Sequence, residues 1–240
     1  MFSYGHARKC GIAGKNYVKT SCPNARFTPL LSGNSWNEYF LRMTLSIVKY
    51  GHPVLRQKGA RIQEITPAIR RLIEDMFETM QEAAGVGLAA QQVGHALQLA
   101  VLDVRGVKDR PSTLELAGQP ADALAFMPLV LINPQIRPGG NPATGPEGCL
   151  SFPEVYTDIT RPEWVEVEAW NAEGQTIQFK AGGLLGRAIQ HEVDHLNGIL
   201  FIDRMTKAAK AEVKTDLEVL QQETKAALEN AARPKKKVLA

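Results

Sequence analysis

The sequence predicts an α+β fold, in which mixed or antiparallel strands pack around one central helix and a further helix forms the C-terminal end. Apolar residues recur with helical spacing in separate segments, and shorter runs of β-branched and aromatic residues lie between those segments. Of 240 residues, 44% are hydrophobic and 22% are charged, which suits one globular domain with extensions. No stretch has the roughly 18 apolar residues that a membrane span needs.

The first helical segment is predicted to begin after Thr66, which is expected to cap it, with Pro67 at the first helical position. Gly85 is expected to end it, because glycine stops a helix readily. The apolar residues of this segment keep a helical period and would cover the sheet. They are Ile69, Leu72, Ile73, Met76, Phe77 and Met80.

Strands are predicted where β-branched and aromatic residues cluster between turn residues. These runs cover residues 97–104, 128–136, 164–170 and 176–180. Ala-Glu-Gly at residues 172–174 indicates a hairpin turn between the last two runs. Residues 106–125 mix Pro, Gly, Asp and Ser with scattered apolar residues, so we expect an insertion loop there.

The central helix contains His191, Glu192 and His195 in the pattern His-Glu-x-x-His. Helical residues four apart lie on one face, so the two imidazoles can bind one metal ion. Glu192 would lie close enough to reach a water on that ion without binding the ion, which is the position of a general base. Glycines precede the helix, and Gly198 stands where a left-handed C-terminal cap would fall. The alternative is an exposed polar patch, which the apolar flanks disfavour.

A catalytic metal site of this type takes three protein ligands, and several residues could supply the third. A metzincin would carry a histidine where Phe201 stands, so that class is disfavoured. Glu212 or Glu218 could serve as in thermolysin, but both fit better on the solvated face of a helix. Cys149 is the better candidate because a thiolate beside the flexible Gly148 is a soft ligand. Its alternative role is that of a small buried apolar residue.

Three motifs occur in order along the chain: GVGLAAQQ at residues 85–92, EGCLS at 147–151 and HEVDH at 191–195. With these motifs the chain resembles the peptide deformylases, whose patterns are GxGLAAxQ, EGCLS and HExxH. The resemblance covers about residues 45–206 and every motif position matches.

The resemblance implies a role for each matching residue. Cys149, His191 and His195 would bind the metal, and Glu192 would be the catalytic acid and base. Gln92 and the backbone N–H of Leu150 would contact the developing oxyanion. Without the resemblance, Gln92 would count only as a polar loop residue, and Gly85 and Gly87 as a helix stop and a turn.

The resemblance also implies the reaction and the cofactor. Family members remove the N-formyl group from the formylmethionine of newly synthesised proteins and release formate. They commonly hold Fe(II), with Zn, Ni or Co as substitutes, although a Cys/His/His set by itself suggests zinc. Two alternatives stay open: an HExxH metallopeptidase, which would not need Cys149, and a non-catalytic metal-binding or ribosome-associated protein. The intact Glu192 argues against the second alternative.

The sequence suggests three regions, of which residues 43–205 form the catalytic domain. Residues 1–42 contain six Lys or Arg and one acid, Glu38, and are predicted to be disordered or not translated. They could be an organellar transit peptide, but their Gly and Pro residues disfavour the helix that such a peptide needs. A start codon placed too early is favoured, because Met43 precedes the point where family domains begin.

Residues 206–240 are predicted to form a C-terminal helix and a basic tail. Thr206 would cap a helix to about Ala231, and Arg233 and residues 235–237 form the tail. The helix would carry an apolar stripe of Val213, Leu217, Leu220, Thr224 and Ala227. Bacterial relatives use a C-terminal helix to bind the ribosome; alternatively the tail only solvates a helix end.

Charge and cysteine content limit the partners and the compartment. The net charge of +3 is too small to indicate a partner, and no DNA partner is expected. Three cysteines form neither a disulfide framework nor a zinc pattern by themselves. A reducing compartment would keep Cys149 free for metal. We therefore expect a bacterial cytoplasmic protein, or an organellar one if residues 1–42 are a transit peptide.

Overall fold

The computed structural model describes residues 43–232, so the predicted N-terminal extension and the basic tail lie outside the described residues. The described part is an α+β fold, as predicted. Short 3-10 helices lie at Pro53–Arg56, Ala90–Val93 and Phe201–Asp203. The α-helices are α1 (Pro67–Glu82), α2 (Gly183–Leu196), α3 (Lys207–Glu212) and α4 (Lys214–Ala232). The strands are β1 (Gly87–Ala89), β2 (Leu99–Leu102), β3 (Ser112–Leu116), β4 (Gln119–Ala121), β5 (Leu129–Cys149), β6 (Phe152–Trp170) and β7 (Thr176–Gly182).

Helix α1 forms as the sequence predicts. The Thr66 hydroxyl accepts a hydrogen bond from the Ile69 N–H at 3.3 Å, and Pro67 occupies the first helical turn. Ile73, Met76 and Met80 are buried against strands β1 and β2. The helix thus covers one side of the sheet with its apolar stripe, which favours the folded state by removing those side chains from water.

The strands form one sheet in the order β1-β2-β5-β6-β7-β3-β4, and all neighbouring strands in it are antiparallel. The predicted strands at 128–136 and 164–170 were too short, because β5 and β6 form one long hairpin. Prolines and glycines in β5 suggested an end to the strand. The sheet accommodates them with a register shift after Gly139, and the Trp164 indole packs across the hairpin on the Gly139 backbone.

The predicted insertion loop at 106–125 is wrong in part, because β3 and β4 form a hairpin there. Ala117 and Gly118 both have positive φ, as a two-residue type I′ turn requires. Strand β3 pairs with β7, which supplies the hydrogen bonds that extend the sheet. Leu114 is the buried residue of β3, so the segment carries little of the alternating pattern that marks a strand.

Helix α2 lies at the centre of the fold and contacts β1, β2, β3, β5, β6 and β7. Twelve of its fourteen residues are buried. Gly198 follows the helix with φ of 73°, as predicted for a left-handed cap, and its N–H bonds the His195 carbonyl at 3.0 Å. The histidine pattern is therefore held on a helix surrounded by the sheet.

The single C-terminal helix predicted from Thr206 to Ala231 is divided into α3 and α4 at Val213. Thr206 does cap the first piece, accepting from the Ala209 N–H at 3.1 Å. Leu217 is buried, and Val213 packs with it on the core cluster that also contains Phe152. Ala227 is exposed, so the predicted apolar stripe ends before it. Among residues 43–232, no helix has the length and apolar character to cross a membrane.

Candidate metal centre and active site

The central helix α2 presents His191, Glu192 and His195, and all three side chains are buried. The two imidazole rings lie 5.0 Å apart between centroids, as expected for residues four apart on a helix. Because the backbone of α2 is fixed on several sides by strands, both rings are held with little freedom. The prediction that this motif lies on a helix is thus confirmed.

Cys149 reaches the two histidines from the end of strand β5. Its Sγ lies 3.2 Å from His195 Nε2, and one ligand atom from each of Cys149, His191 and His195 lies within 4.8 Å of the others. Ligands at about 2.0–2.3 Å from one ion lie roughly 3–4 Å from each other. The cysteine is free and buried, so its sulfur is not committed to a disulfide. One thiolate and two imidazoles at this spacing fit a single divalent ion.

The two imidazoles differ in their surroundings. Burial lowers the pKa of His195, and the charges of His191 and Arg161 lower it further, so this ring is neutral. Burial also lowers the pKa of His191, but hydrogen bonds with Cys149 and Glu147 outweigh it and raise that pKa to about 10. Because a ligating imidazole must be neutral, an ion at this cluster would displace a proton from His191.

Glu192 is buried, and its Oε2 has no hydrogen-bond partner within residues 43–232. Burial raises the pKa of this carboxyl to about 7. Gly87 leaves the space that the side chain occupies: a Cβ there would lie 2.8 Å from Glu192 Cδ and 2.9 Å from its Cγ. Gly87 is therefore more than the turn residue that its sequence context indicates. A side chain at this position would overlap with the Glu192 side chain.

Gln92 lies in the 3-10 helix at Ala90–Val93, and its amide orientation is set by a hydrogen bond. Its Oε1 accepts from the Ala89 N–H at 2.8 Å. The Nε2 therefore points the other way, 3.4 Å from Cys149 Sγ and 3.5 Å from Ser151 Oγ. Leu150 follows Cys149 in the short connection between β5 and β6. The structure thus brings both residues of the predicted oxyanion pair to the cysteine.

Sequence reasoning missed a buried charge network behind the histidines. Arg161 donates to both oxygens of Glu147, at 2.7 and 3.0 Å, and to Asp194 at 2.7 Å. Arg187 donates to Glu147 at 2.7 Å, and the same carboxylate lies 3.1 Å from His191 Nδ1. Burial raises the pKa of Glu147, but the bonds with His191 and Arg161 outweigh burial and hold it well below its usual range. The carboxylate fixes the ring of His191 with Nε2 towards the cysteine.

Part of this network has a signal in the sequence. Glu147 is two residues before Cys149, a spacing that in a regular strand places both side chains on one face, and both are buried here. Asp194 is three residues after His191 on one helix and shares its side. Arg161 has no local signal, because its approach to Glu147 depends on the register of the β5–β6 hairpin.

The cleft beside these polar groups has an apolar wall. Val86, Leu184 and Ala188 line it together with Gly85. The other candidates for a third ligand lie elsewhere: Glu212 and Glu218 are exposed on α3 and α4. Phe201 is buried, with its ring centroid 6.1 Å from that of His191.

Known proteins resemble this chain in sequence and in fold. A family model described as polypeptide deformylase matches residues 44–211. The chain belongs to the polypeptide deformylase family. The deformylase of Opitutus terrae is 45% identical over 187 residues, which cover 77% of this chain and 97% of that protein. That of Methylacidiphilum infernorum is 46% identical over 179 residues, covering 75% of this chain and 94% of the relative.

A solved deformylase structure agrees with the fold. The crystal structure of the Synechococcus elongatus enzyme in complex with actinonin has a TM-score of 0.59 and 39% identity, covering 80% of this chain and 91% of that one. The present deformylase is a metal-dependent hydrolase that removes the N-formyl group from newly synthesised proteins and releases formate. The alternatives of a metallopeptidase and of a non-catalytic protein are thereby set aside.

Proposed function

We propose that Cys149, His191 and His195 hold one divalent ion, and that Glu192, Gln92 and the Leu150 N–H carry out deformylation beside it. The observation that carries this proposal is the convergence of three ligand atoms within 4.8 Å beside the buried Glu192 carboxyl, whose Oε2 has no hydrogen-bond partner in the described part of the chain. When bound, the ion would lower the pKa of a water molecule from 15.7 towards about 7 and so supply hydroxide at neutral pH.

Glu192 performs both proton transfers in this proposal. It accepts the proton of the attacking water and later gives it to the amine that leaves as the new N-terminus. A carboxyl whose pKa is about 7 is suited to both tasks, because neither protonation state is strongly disfavoured near neutral pH. The absence of a side chain at Gly87 leaves room for the Glu192 carboxyl beside the proposed ligands.

Gln92 and Leu150 stabilise the oxygen on which negative charge grows as the formyl carbon becomes tetrahedral. Gln92 is oriented before the reaction by its bond to the Ala89 N–H, and the Leu150 carbonyl accepts a hydrogen bond from Lys49. Removing one such donor typically costs about 3–4 kcal/mol of transition-state stabilisation. The apolar wall of Val86, Leu184 and Ala188 suits the unbranched side chain of formylmethionine.

Formate release tests this function directly. We expect the purified protein to release formate from a short formylmethionyl peptide and to leave the internal bonds of the unformylated peptide intact. A chelator should abolish formate release, and added divalent ion should restore it, because the proposed reaction depends on the ion to activate water. Cleavage of the unformylated peptide, or formate release that survives metal removal, would contradict the proposal.

We propose Fe(II) as the resident ion, with Zn, Ni or Co as alternatives. The donor set alone would suit zinc, so this choice rests on the resemblance to other deformylases. Metal analysis of protein purified without oxygen decides among the four ions.

We further propose that residues 43–205 form the catalytic domain and that residues 1–42 are dispensable for activity.

We also propose that the enzyme acts in the cytoplasm and binds the ribosome through α4 and the basic tail. Arg233 and three lysines at 235–237 follow α4 in the sequence. Deleting residues 233–240 should leave turnover of a short peptide unchanged while weakening ribosome binding. A plot of log affinity against log salt concentration should become less steep by roughly 0.7–0.9 for each RNA phosphate contact that the deletion removes.

Ribosome binding measured at two salt concentrations checks this expectation. The matched control replaces the three lysines by glutamine, which keeps the length of the tail and removes most of its charge. We expect this variant to behave like the deletion. Equal affinities and equal salt dependence for all three proteins would leave the tail as a solvated helix end.

A further inference from the structure

Residues 48–50, just before the 3-10 helix at Pro53–Arg56, connect the two chain segments that carry the proposed oxyanion donors. The Val48 N–H donates to the Gln92 carbonyl at 2.9 Å, and the Tyr50 N–H donates to the Ser151 carbonyl at 2.9 Å. Between them, Lys49 Nζ donates to the Leu150 carbonyl at 2.9 Å. Val48 thus bonds the segment that contains Gln92, and Lys49 and Tyr50 bond the segment that contains Leu150. We call residues 48–50 the strap.

The strap matters because the two donor segments have no long element of their own to hold them. Gln92 lies in a four-residue 3-10 helix, and Leu150 lies in a two-residue connection between β5 and β6. A preorganised donor stabilises the developing charge only if it stays near the position that the oxyanion will occupy. A displacement of about 1 Å can cost about 100-fold in rate.

Lys49 contributes a charged hydrogen bond between the strap and these segments. Charge-assisted hydrogen bonds are roughly twice as strong as neutral ones, and Lys49 is partly buried, so water competes less for its ammonium. Its acceptor is the carbonyl of Leu150, which is the residue whose own N–H is a proposed donor. The carbonyl and the N–H of Leu150 belong to neighbouring peptide groups that are joined at its Cα. Fixing the carbonyl therefore limits the movement of the N–H.

We infer that Lys49 is a positioning residue for deformylation: by holding the Leu150 carbonyl within the strap, it keeps the Leu150 N–H and the Gln92 amide in register for the developing oxyanion. This inference rests on the donor roles proposed above. Lys49 itself does not touch the substrate or the ion in this scheme. Its effect is exerted in the transition state, where the charge develops, and little in substrate binding.

Lys49→Met tests the inference, because methionine keeps the unbranched stem and removes the ammonium. The expected result is a kcat about 10- to 100-fold lower for a short formylmethionyl peptide, with KM changed by less than about threefold. Metal content should equal that of the wild type, since none of the proposed ligands is altered. Lys49→Arg should recover most of the lost kcat, because the guanidinium is also a charged donor.

Lys180→Met is the matched control. Lys180 is also partly buried and donates to the Glu115 carboxylate at 3.0 Å, and the buried side chains of its neighbours Phe179 and Ala181 place it on the other face of the sheet. We expect this variant to keep wild-type kcat even if its melting temperature falls. Unchanged kcat in Lys49→Met would overturn the inference, and so would loss of metal, which would instead assign Lys49 to the environment of Cys149. An arginine variant no better than the methionine variant would overturn it as well.

If Lys49→Met does not fold, Lys49→Gln removes the charge and shortens the side chain by one bond, which withdraws the donor from the Leu150 carbonyl. A reduced kcat with normal metal content in that variant supports the inference, and a wild-type kcat overturns it. Failure of the wild-type protein to release formate would contradict the proposed function instead, so the two failures are distinguishable.

Discussion

A Glu192→Ala variant is expected to keep its metal and to lose roughly 10²–10⁴ in kcat, the usual contribution of general acid–base catalysis. The physical reason is that Glu192 moves protons and is not one of the three converging ligands. Its removal leaves a small buried cavity but no unpaired charge, so the protein should fold. Steady-state kinetics on a formylmethionyl peptide and metal analysis of the same sample measure the two quantities together.

Two controls sharpen the Glu192 result. Glu218→Ala removes an exposed glutamate from α4 and should leave both kcat and metal content unchanged. Glu192→Gln keeps the volume of the side chain but cannot accept a proton, and it should be about as inactive as the alanine variant. Wild-type kcat in Glu192→Gln would show that proton transfer is carried by another group.

Cys149→Ala is expected to lose both the metal and all measurable deformylation. The change removes one of three ligands, the thiolate, and leaves two imidazoles on one helix. Loss of a group that merely orients a ligand typically costs 10- to 100-fold in metal affinity, so loss of a ligand itself should cost more than about 100-fold. Metal content after gel filtration, and formate release with and without added ion, measure this effect.

The rival third ligands provide the control for Cys149. Glu212→Ala alters a residue that is exposed on α3, and it should keep full metal content and activity. Because Cys149 is buried and small, the alanine variant should also retain a cooperative melting transition. Full metal occupancy and turnover in Cys149→Ala would remove Cys149 from the proposed ligand set.

The elements with local signals could be predicted from the sequence. Thr66 caps α1 and Gly198 ends α2 because capping depends on neighbouring residues alone. The pair His191 and His195 lies on one helix face for the same kind of reason, since a helix fixes its own periodicity. The helix that carries the motif could therefore be predicted without knowledge of tertiary contacts.

The elements that depend on distant partners could not be predicted. Strand β5 continues through prolines and glycines because β6 pairs with it, and β3 becomes a strand because β7 supplies its hydrogen bonds. The position of Arg161 beside Glu147 follows from hairpin register, which one sequence does not specify. Gln92 and Leu150 received roles only through the family resemblance, because an amide side chain and a backbone N–H carry no distinctive spacing.

The contact between the backbone at Gly87 and Glu192 bears on how resistance to inhibitors could arise. A compound that packs against this part of the cleft meets a surface that a point mutation cannot reshape without cost, since any added side chain would displace the Glu192 carboxylate. A substitution of Gly87 that weakened binding of the compound would also impair deformylation. Escape from such a compound would instead require a change in the apolar wall, where Val86 is only partly buried and can change size at less cost than a core residue.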